Sequence, residues 1–205
     1  MTESYNIGID VHGGDNAPEC NLNGVRKFLE NHSDLLSTVS LFLFGESTSI
    51  REGLGEEICN KSYIQIVDCK EKIDFNDHPV KAFLQKTESS ITKGFNYLKA
   101  GEIDVFASAG NTGAMMVGAT QAIGLIKGLS RPVITSVLPR ESGNDGIILD
   151  VGINADCKPE MLDKFATLGS IYAQFVYNIK EPKVGLLNIG EEEEKGSILT
   201  KATHK

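Results

Sequence analysis

Val105-Phe106-Ala107-Ser108-Ala109-Gly110-Asn111-Thr112-Gly113-Ala114 is an apolar run that turns through small residues and leads into a helix-like stretch over residues 115–126. A strand that passes through such a turn into a helix leaves backbone N–H groups unpaired beside the positive end of the helix dipole. The turn is therefore a candidate site for a phosphate or a carboxylate. It lacks the spacing and the Lys of a P-loop, so nucleoside triphosphate binding is not indicated.

Outward from this stretch, strand-like and helix-like segments alternate along the chain. Apolar runs rich in Val, Ile, Leu and Phe at residues 5–11, 39–44, 63–67, 104–107, 133–138, 147–151 and 184–187 predict strands. Their continuous apolarity suits strands covered on both faces. Val80, Phe83, Leu84, Ile91, Phe95 and Leu98 recur at helical spacing ahead of Gly101, a stop signal. Met161, Phe165, Leu168, Tyr172 and Phe175 repeat the pattern after Pro159, which a first helical turn tolerates. Residues 115–126 are apolar or small nearly all round, which predicts a helix buried in the core or pressed against another subunit. The pattern is that of an α/β protein with a mostly parallel central sheet and helices on both faces. It reads as a single α/β domain over residues 1–205, with no internal repeat, low-complexity segment or linker. A new helix begins near Ser197 and the chain stops at Lys205, so the full protein is expected to continue.

Composition narrows the function classes. A chain of 205 residues with 40% hydrophobic content can bury a sizeable core. Its formal net charge of -8 argues against bulk attraction to nucleic acid or anionic lipid, so an acidic partner would need a local basic patch. Cys20, Cys59, Cys69 and Cys157 form no C-x-x-C pair, so neither a metal site nor a disulfide framework is expected. No leader-like segment or bilayer-length apolar run is seen, and the cytoplasm is the expected location. Glu191-Glu192-Glu193-Glu194 reads as a solvated loop.

Besides the turn at residues 108–114, three loops follow predicted strands. In Asp10-Val11-His12-Gly13-Gly14-Asp15-Asn16-Ala17-Pro18, the paired glycines let backbone approach a ligand closely, and Asp10 and Asp15 are placed to orient a substrate group. The plainer reading is a tight turn with a helix cap, and His12 is more readily a hydrogen-bonding residue than an acid or base. In Leu149-Asp150-Val151-Gly152-Ile153-Asn154, a carboxyl within an apolar run points to an organising role, because burying it unpaired is costly. Leu187-Asn188-Ile189-Gly190 leads to Lys195-Gly196-Ser197 at a helix start. A cation there is unfavourable unless an anion lies between it and the helix, which singles out Lys195. In an open α/β sheet all four loops converge on one crevice.

Taken together and in this order, these loops, with Arg131-Pro132, Lys158-Pro159-Glu160 and Val184-Gly185-Leu186-Leu187-Asn188-Ile189-Gly190, resemble the PlsX family from the first strand to the end of the chain. The resemblance implies a three-layer α/β/α fold like that of isopropylmalate dehydrogenase. It also implies an enzyme that moves a fatty acyl group from acyl carrier protein to inorganic phosphate, supplying acyl phosphate for bacterial phospholipid synthesis. A homodimer with possible peripheral association at the inner face of the cell membrane is implied as well, and no cofactor or metal. Because phosphate is already an anion and a thiolate leaves easily, positioning matters more than deprotonation, and no Ser or Cys nucleophile is needed. The resemblance and the loops together assign catalytic roles to Lys195, Asp10, Asp15, Asp150 and Asn154. Substrate binding falls to Gly13, Gly14, Ser108, Gly110, Asn111, Thr112, Gly113 and Asn188.

The sequence departs from the family pattern at His12, where Met is usual, at Leu84 and Gln85, where Arg is usual ahead of Ser89-Ser90, and at Ser197, where Asn is common. Two rival readings are a short-chain phosphate acyltransferase using coenzyme A thioesters and a noncatalytic anion- or partner-binding module. A nicotinamide oxidoreductase is disfavoured, since no G-x-G-x-x-G follows the first strand.

Overall fold

The computed structural model describes residues 4–141, 143, 145–192 and 194–204, which fall into two compact units divided between Gly124 and Leu125. The first unit is built on a four-stranded sheet of β1 (Tyr5–Asp10), β2 (Val39–Gly45), β3 (Ile64–Asp68) and β4 (Val105–Ala107). The strand order is β3-β2-β1-β4 and every pairing is parallel, with Ile7 opposite both Leu41 and Val105. All four strands were predicted to within one or two residues.

Alternation along β2 explains why helices cover both faces. Leu41 and Leu43 pack with Leu22 and Val25 of α1 (Glu19–Asn31), Ile50 and Leu54 of α2 (Ser47–Leu54) and Cys59 of α3 (Glu56–Cys59). Phe42 and Phe44 point the other way, toward Tyr97 and Leu98 of α5 (Ser90–Ala100), with Ile103 and Phe106. Fully buried Phe44 meets Tyr97 and Phe106 edge-on at 5.2 and 5.5 Å between ring centres, a geometry worth roughly 1 kcal/mol per pair beyond burial. α4 (Pro79–Gln85) and α6 (Thr112–Ala122) complete this layer through Phe83, Phe95 and Val117. The result is the expected three-layer α/β/α arrangement.

The apolar periodicity from Val80 to Leu98 resolves into two helices rather than one. Ser89 caps α5 by accepting from the Thr92 N–H at 3.3 Å, and the chain between the helices bridges back to Glu71. Val80 and Leu84 face outward. Gly101 ends α5 in the left-handed conformation, as expected of a stop signal. α6 begins within the quoted turn and ends at Ala122, with Ala114, Val117 and Gly118 buried.

The second unit contains β5 (Thr135–Leu138), β6 (Gly146–Leu149), α7 (Pro159–Tyr177) and α8 (Ile198–His204). β5 and β6 pair antiparallel, from Thr135 opposite Leu149 to Leu138 opposite Gly146. The connection 139–145 is too short for the crossover that a parallel pair needs. α7 lies against β6 at Gly169, where a Cβ would stand 3.1 Å from Leu149 Cδ1. Residues 184–187, predicted as a strand, form none. No described residue pairs with their backbone, and Val184 and Leu187 are exposed. An apolar run becomes a strand only where a free sheet edge can satisfy its backbone groups.

Candidate active site

The topology brings two of the predicted loops side by side. The chain leaves β1 for β2 on one flank and returns to the other flank for β4, so strand order reverses between the carboxyl ends of β1 and β4. Ligands of open α/β sheets bind in the crevice at such a point. Residues 10–16 leave β1 here and residues 108–111 leave β4.

Asp10 ties the two loops together from a position only 2% exposed. Its Oδ1 accepts from the His12 N–H at 3.0 Å and its Oδ2 from the Ser108 hydroxyl at 2.6 Å. Ser108 Oγ in turn accepts from the Gly110 N–H at 2.9 Å. Gly13 allows the loops to meet, because a Cβ there would stand 2.6 Å from Asp10 Oδ2 and 2.7 Å from the Gly110 nitrogen. Gly14 rests against Ala109, while Asp15 is exposed and has no partner among the described residues.

In the opening turn the Asn111 side chain is engaged within the fold. Asn111 Oδ1 caps α6 by accepting from the Ala114 N–H at 3.0 Å. Its Nδ2 donates to the carbonyls of Asp74, Phe75 and Asp77 at 3.0, 3.3 and 3.3 Å. The side chain is thus committed to tethering the loop before α4. Gly113 makes room for Pro79, whose ring a Cβ would overlap. The N–H groups of Thr112 and Gly113 have no acceptor among the described residues, and these are the donors the turn offers an anion.

His12 Nε2 accepts from the Glu46 N–H at 3.1 Å, and its Nδ1 is buried without a partner among the described residues. This ring joins the β1 loop to the start of α2 rather than standing free as an acid or base. Neither buried thiol is available as a nucleophile at neutral pH. Burial pushes Cys69 up to about 12 and raises Cys59 as well.

In the second unit, Asp150 is a hub. Its Oδ1 accepts from the Ile134 N–H at 2.9 Å, and its Oδ2 accepts from the N–H groups of Ile153 and Asn154 at 3.2 and 2.7 Å. Asn154 Nδ2 donates to Asp150 Oδ2 at 3.2 Å and to the Pro132 carbonyl at 2.9 Å. Both residues organise backbone, as an unpaired carboxyl in an apolar run would be costly. Asn188 Nδ2 donates to the carbonyls of Gly190 and Lys195 at 3.1 and 3.4 Å.

Lys195 stands before α8 and has its counter-ion within the chain. Its Nζ contacts Glu192 Oε1 at 2.8 Å, with both side chains about half exposed. The hydrogen bond from Lys195 is the main cause holding the Glu192 carboxyl below the usual carboxylate range. A folded value below the unfolded one means that the contact stabilises above the unfolded carboxylate pKa and is lost as pH falls through the folded value. Acidification below that value is therefore expected to break the Lys195–Glu192 contact, seen as lost amide protection at Glu192 and Lys195. Unchanged protection at both residues would contradict it.

Two organising residues escaped the sequence reading. Asn21 Nδ2, from the first turn of α1, donates to the carbonyls of Asp10, Val11 and Gly13 at 3.2, 3.1 and 2.7 Å, holding the glycine loop from behind. A polar residue beside the buried Leu22, directly after a Gly-Gly loop, was the signal available. Glu192 lay hidden in a run of like charges.

The family model described as "Fatty acid synthesis protein" matches residues 5–205. The chain is 45% identical over 200 residues to a phosphate acyltransferase of Caldicellulosiruptor bescii, covering 97% of this chain and 58% of that protein. It is 44% identical over 199 residues to a phosphate acyltransferase of Clostridium beijerinckii, with the same 97% and 58% coverage. Against a phosphate acyltransferase of Staphylococcus aureus it is 42% identical over 199 residues, with coverage of 97% and 57%. The chain thus spans a little under three fifths of the length of these relatives. With a parallel sheet whose β1 and β4 loops meet around Asp10, and a family match that runs from the first strand to residue 205, the chain belongs to the PlsX family of fatty acid synthesis proteins.

Proposed function

We propose that this chain takes part in transferring a fatty acyl group from acyl carrier protein to inorganic phosphate, giving acyl phosphate for phospholipid synthesis. The observation that carries the reading is the pair of unpaired N–H groups of Thr112 and Gly113 at the start of α6, beside loops locked together by Asp10 and Ser108. In this reading they hold phosphate as the nucleophile. One phosphate oxygen bonds to the thioester carbonyl carbon, the carbon–sulfur bond breaks, and the thiolate leaves and takes a proton from solvent. Lys195 is the residue that the family resemblance assigns to neutralising the anion or the tetrahedral oxyanion, a role that requires it to release Glu192. Asp10, Asp150 and Asn154 act as positioning residues through the backbone they hold. The names of the relatives and the absence of an activated thiol at Cys59 and Cys69 support this chemistry. The same reading places the protein in the cytoplasm as a homodimer at the inner face of the membrane. Among the described residues no helix is long and apolar enough to cross a bilayer.

The test supplies the chain with phosphate and either acyl carrier protein or coenzyme A thioesters of matched acyl length. Acyl phosphate formed faster from the carrier-protein thioester supports the donor assignment. Preference for a short-chain coenzyme A thioester contradicts it, and tight carrier-protein binding without turnover contradicts the enzymatic reading.

A further inference from the structure

We propose that the cleft at the start of α7 is a second binding site for a phosphate group. The cleft measures about 320 Å³ and is lined by Ser130, Arg131, Lys158, Glu160, Met161 and Lys164. Three cations against one carboxylate reverse the local sign in a chain whose net charge is -8.

Lys164 is accounted for within the fold, since its Nζ donates to the Gly128 carbonyl. Arg131 and Lys158 have no hydrogen-bond or ion-pair partner for their side chains among the described residues. Two unpaired cations sharing one cleft repel each other, and a phosphate between them converts that repulsion into charge-assisted hydrogen bonds. The planar Arg131 fork suits two phosphate oxygens, while Lys158 supplies a point charge.

Asp150 and Asn154 anchor backbone that flanks the cleft, while the Arg131 and Lys158 side chains are exposed to solvent. Asp150 Oδ1 fixes Ile134, and Asn154 fixes the Pro132 carbonyl, so the backbone immediately after Arg131 is anchored. Asp150 Oδ2 gathers the turn through Ile153 and Asn154 that runs on to Lys158. Glu160 also lines the cleft. It belongs to the first turn of α7, where a carboxylate offsets the helix dipole, and it sets a limit on how much negative charge the cleft accepts.

The inference rests on the proposed function only in taking phosphate as the ligand chemistry, free or as the ester of a larger molecule. It is tested by titrating the full chain with inorganic phosphate and, separately, phenyl phosphate, while following backbone amides by NMR. Saturable shifts at Arg131, Lys158 and Glu160 are expected with at least one probe. Affinity should fall about tenfold in Arg131→Gln and in Lys158→Gln, stay unchanged in Lys99→Gln on the first unit, and weaken as salt is raised. Tighter binding of inorganic phosphate identifies a free-phosphate site, and tighter binding of phenyl phosphate an ester site. Shifts at Thr112 and Gly113 with none at the cleft overturn this inference and leave the proposed function standing. Shifts at the cleft alone do the reverse. Cleft shifts that survive both Gln variants also overturn it.

Discussion

Asp10→Ala is expected to destabilise the first unit by roughly 3 kcal/mol and to abolish acyl phosphate formation. The substitution removes the acceptor for the Ser108 hydroxyl at 2.6 Å and for the His12 N–H at 3.0 Å, both in a position closed to water. Donors left without acceptors in a buried site each cost on the order of 1–3 kcal/mol. Ser108 then no longer positions Gly110, and the turn that presents Thr112 and Gly113 loses its anchor to β1. Urea unfolding of the variant measures the first effect. Asp10→Asn separates fold from function, because it retains an acceptor for one of the two donors and should recover most of the stability. A stability loss below about 0.5 kcal/mol in Asp10→Ala would show that the loops are held by something else.

Lys195→Ala is expected to lower the rate of phosphate-dependent acyl transfer about a hundredfold while leaving stability nearly unchanged. The lysine is about half exposed, and among the described residues its one ion pair is with Glu192, also exposed. Surface pairs of this kind contribute roughly 0–1 kcal/mol, so unfolding curves should overlay. Glu192→Gln sharpens the test. If the carboxylate only stores the lysine, releasing it should not slow transfer. A near-normal rate in Lys195→Ala would remove the lysine from the chemistry.

How much of this was legible in the sequence depended on whether the cause was local. β2 and β3 follow from runs of Val, Ile, Leu and Phe, while β1 and β4 follow from shorter apolar stretches that end at a loop of small and polar residues. The end of α5 at Gly101 follows from a residue that tolerates the left-handed conformation. The organising role of Asp150 could be read because a carboxyl in an apolar run demands partners. What stayed hidden depends on contacts between distant parts of the chain. The tether from the Asn111 amide to carbonyls 34 to 37 residues away could not be read from its place in the turn. The ion pair of Lys195 with Glu192 was not legible either, because periodicity cannot distinguish Glu192 from its acidic neighbours. Residues 184–187 carry the composition of a strand, but composition cannot supply the edge a strand needs.

In the proposed reaction phosphate itself attacks the acyl thioester. The direct measurement incubates the protein with acyl carrier protein thioester and phosphate labelled on every oxygen, and reads the product by mass spectrometry. An acyl phosphate that retains the full label, with the acyl carbonyl oxygen unlabelled, is the predicted result. Free fatty acid beside unchanged labelled phosphate would contradict it.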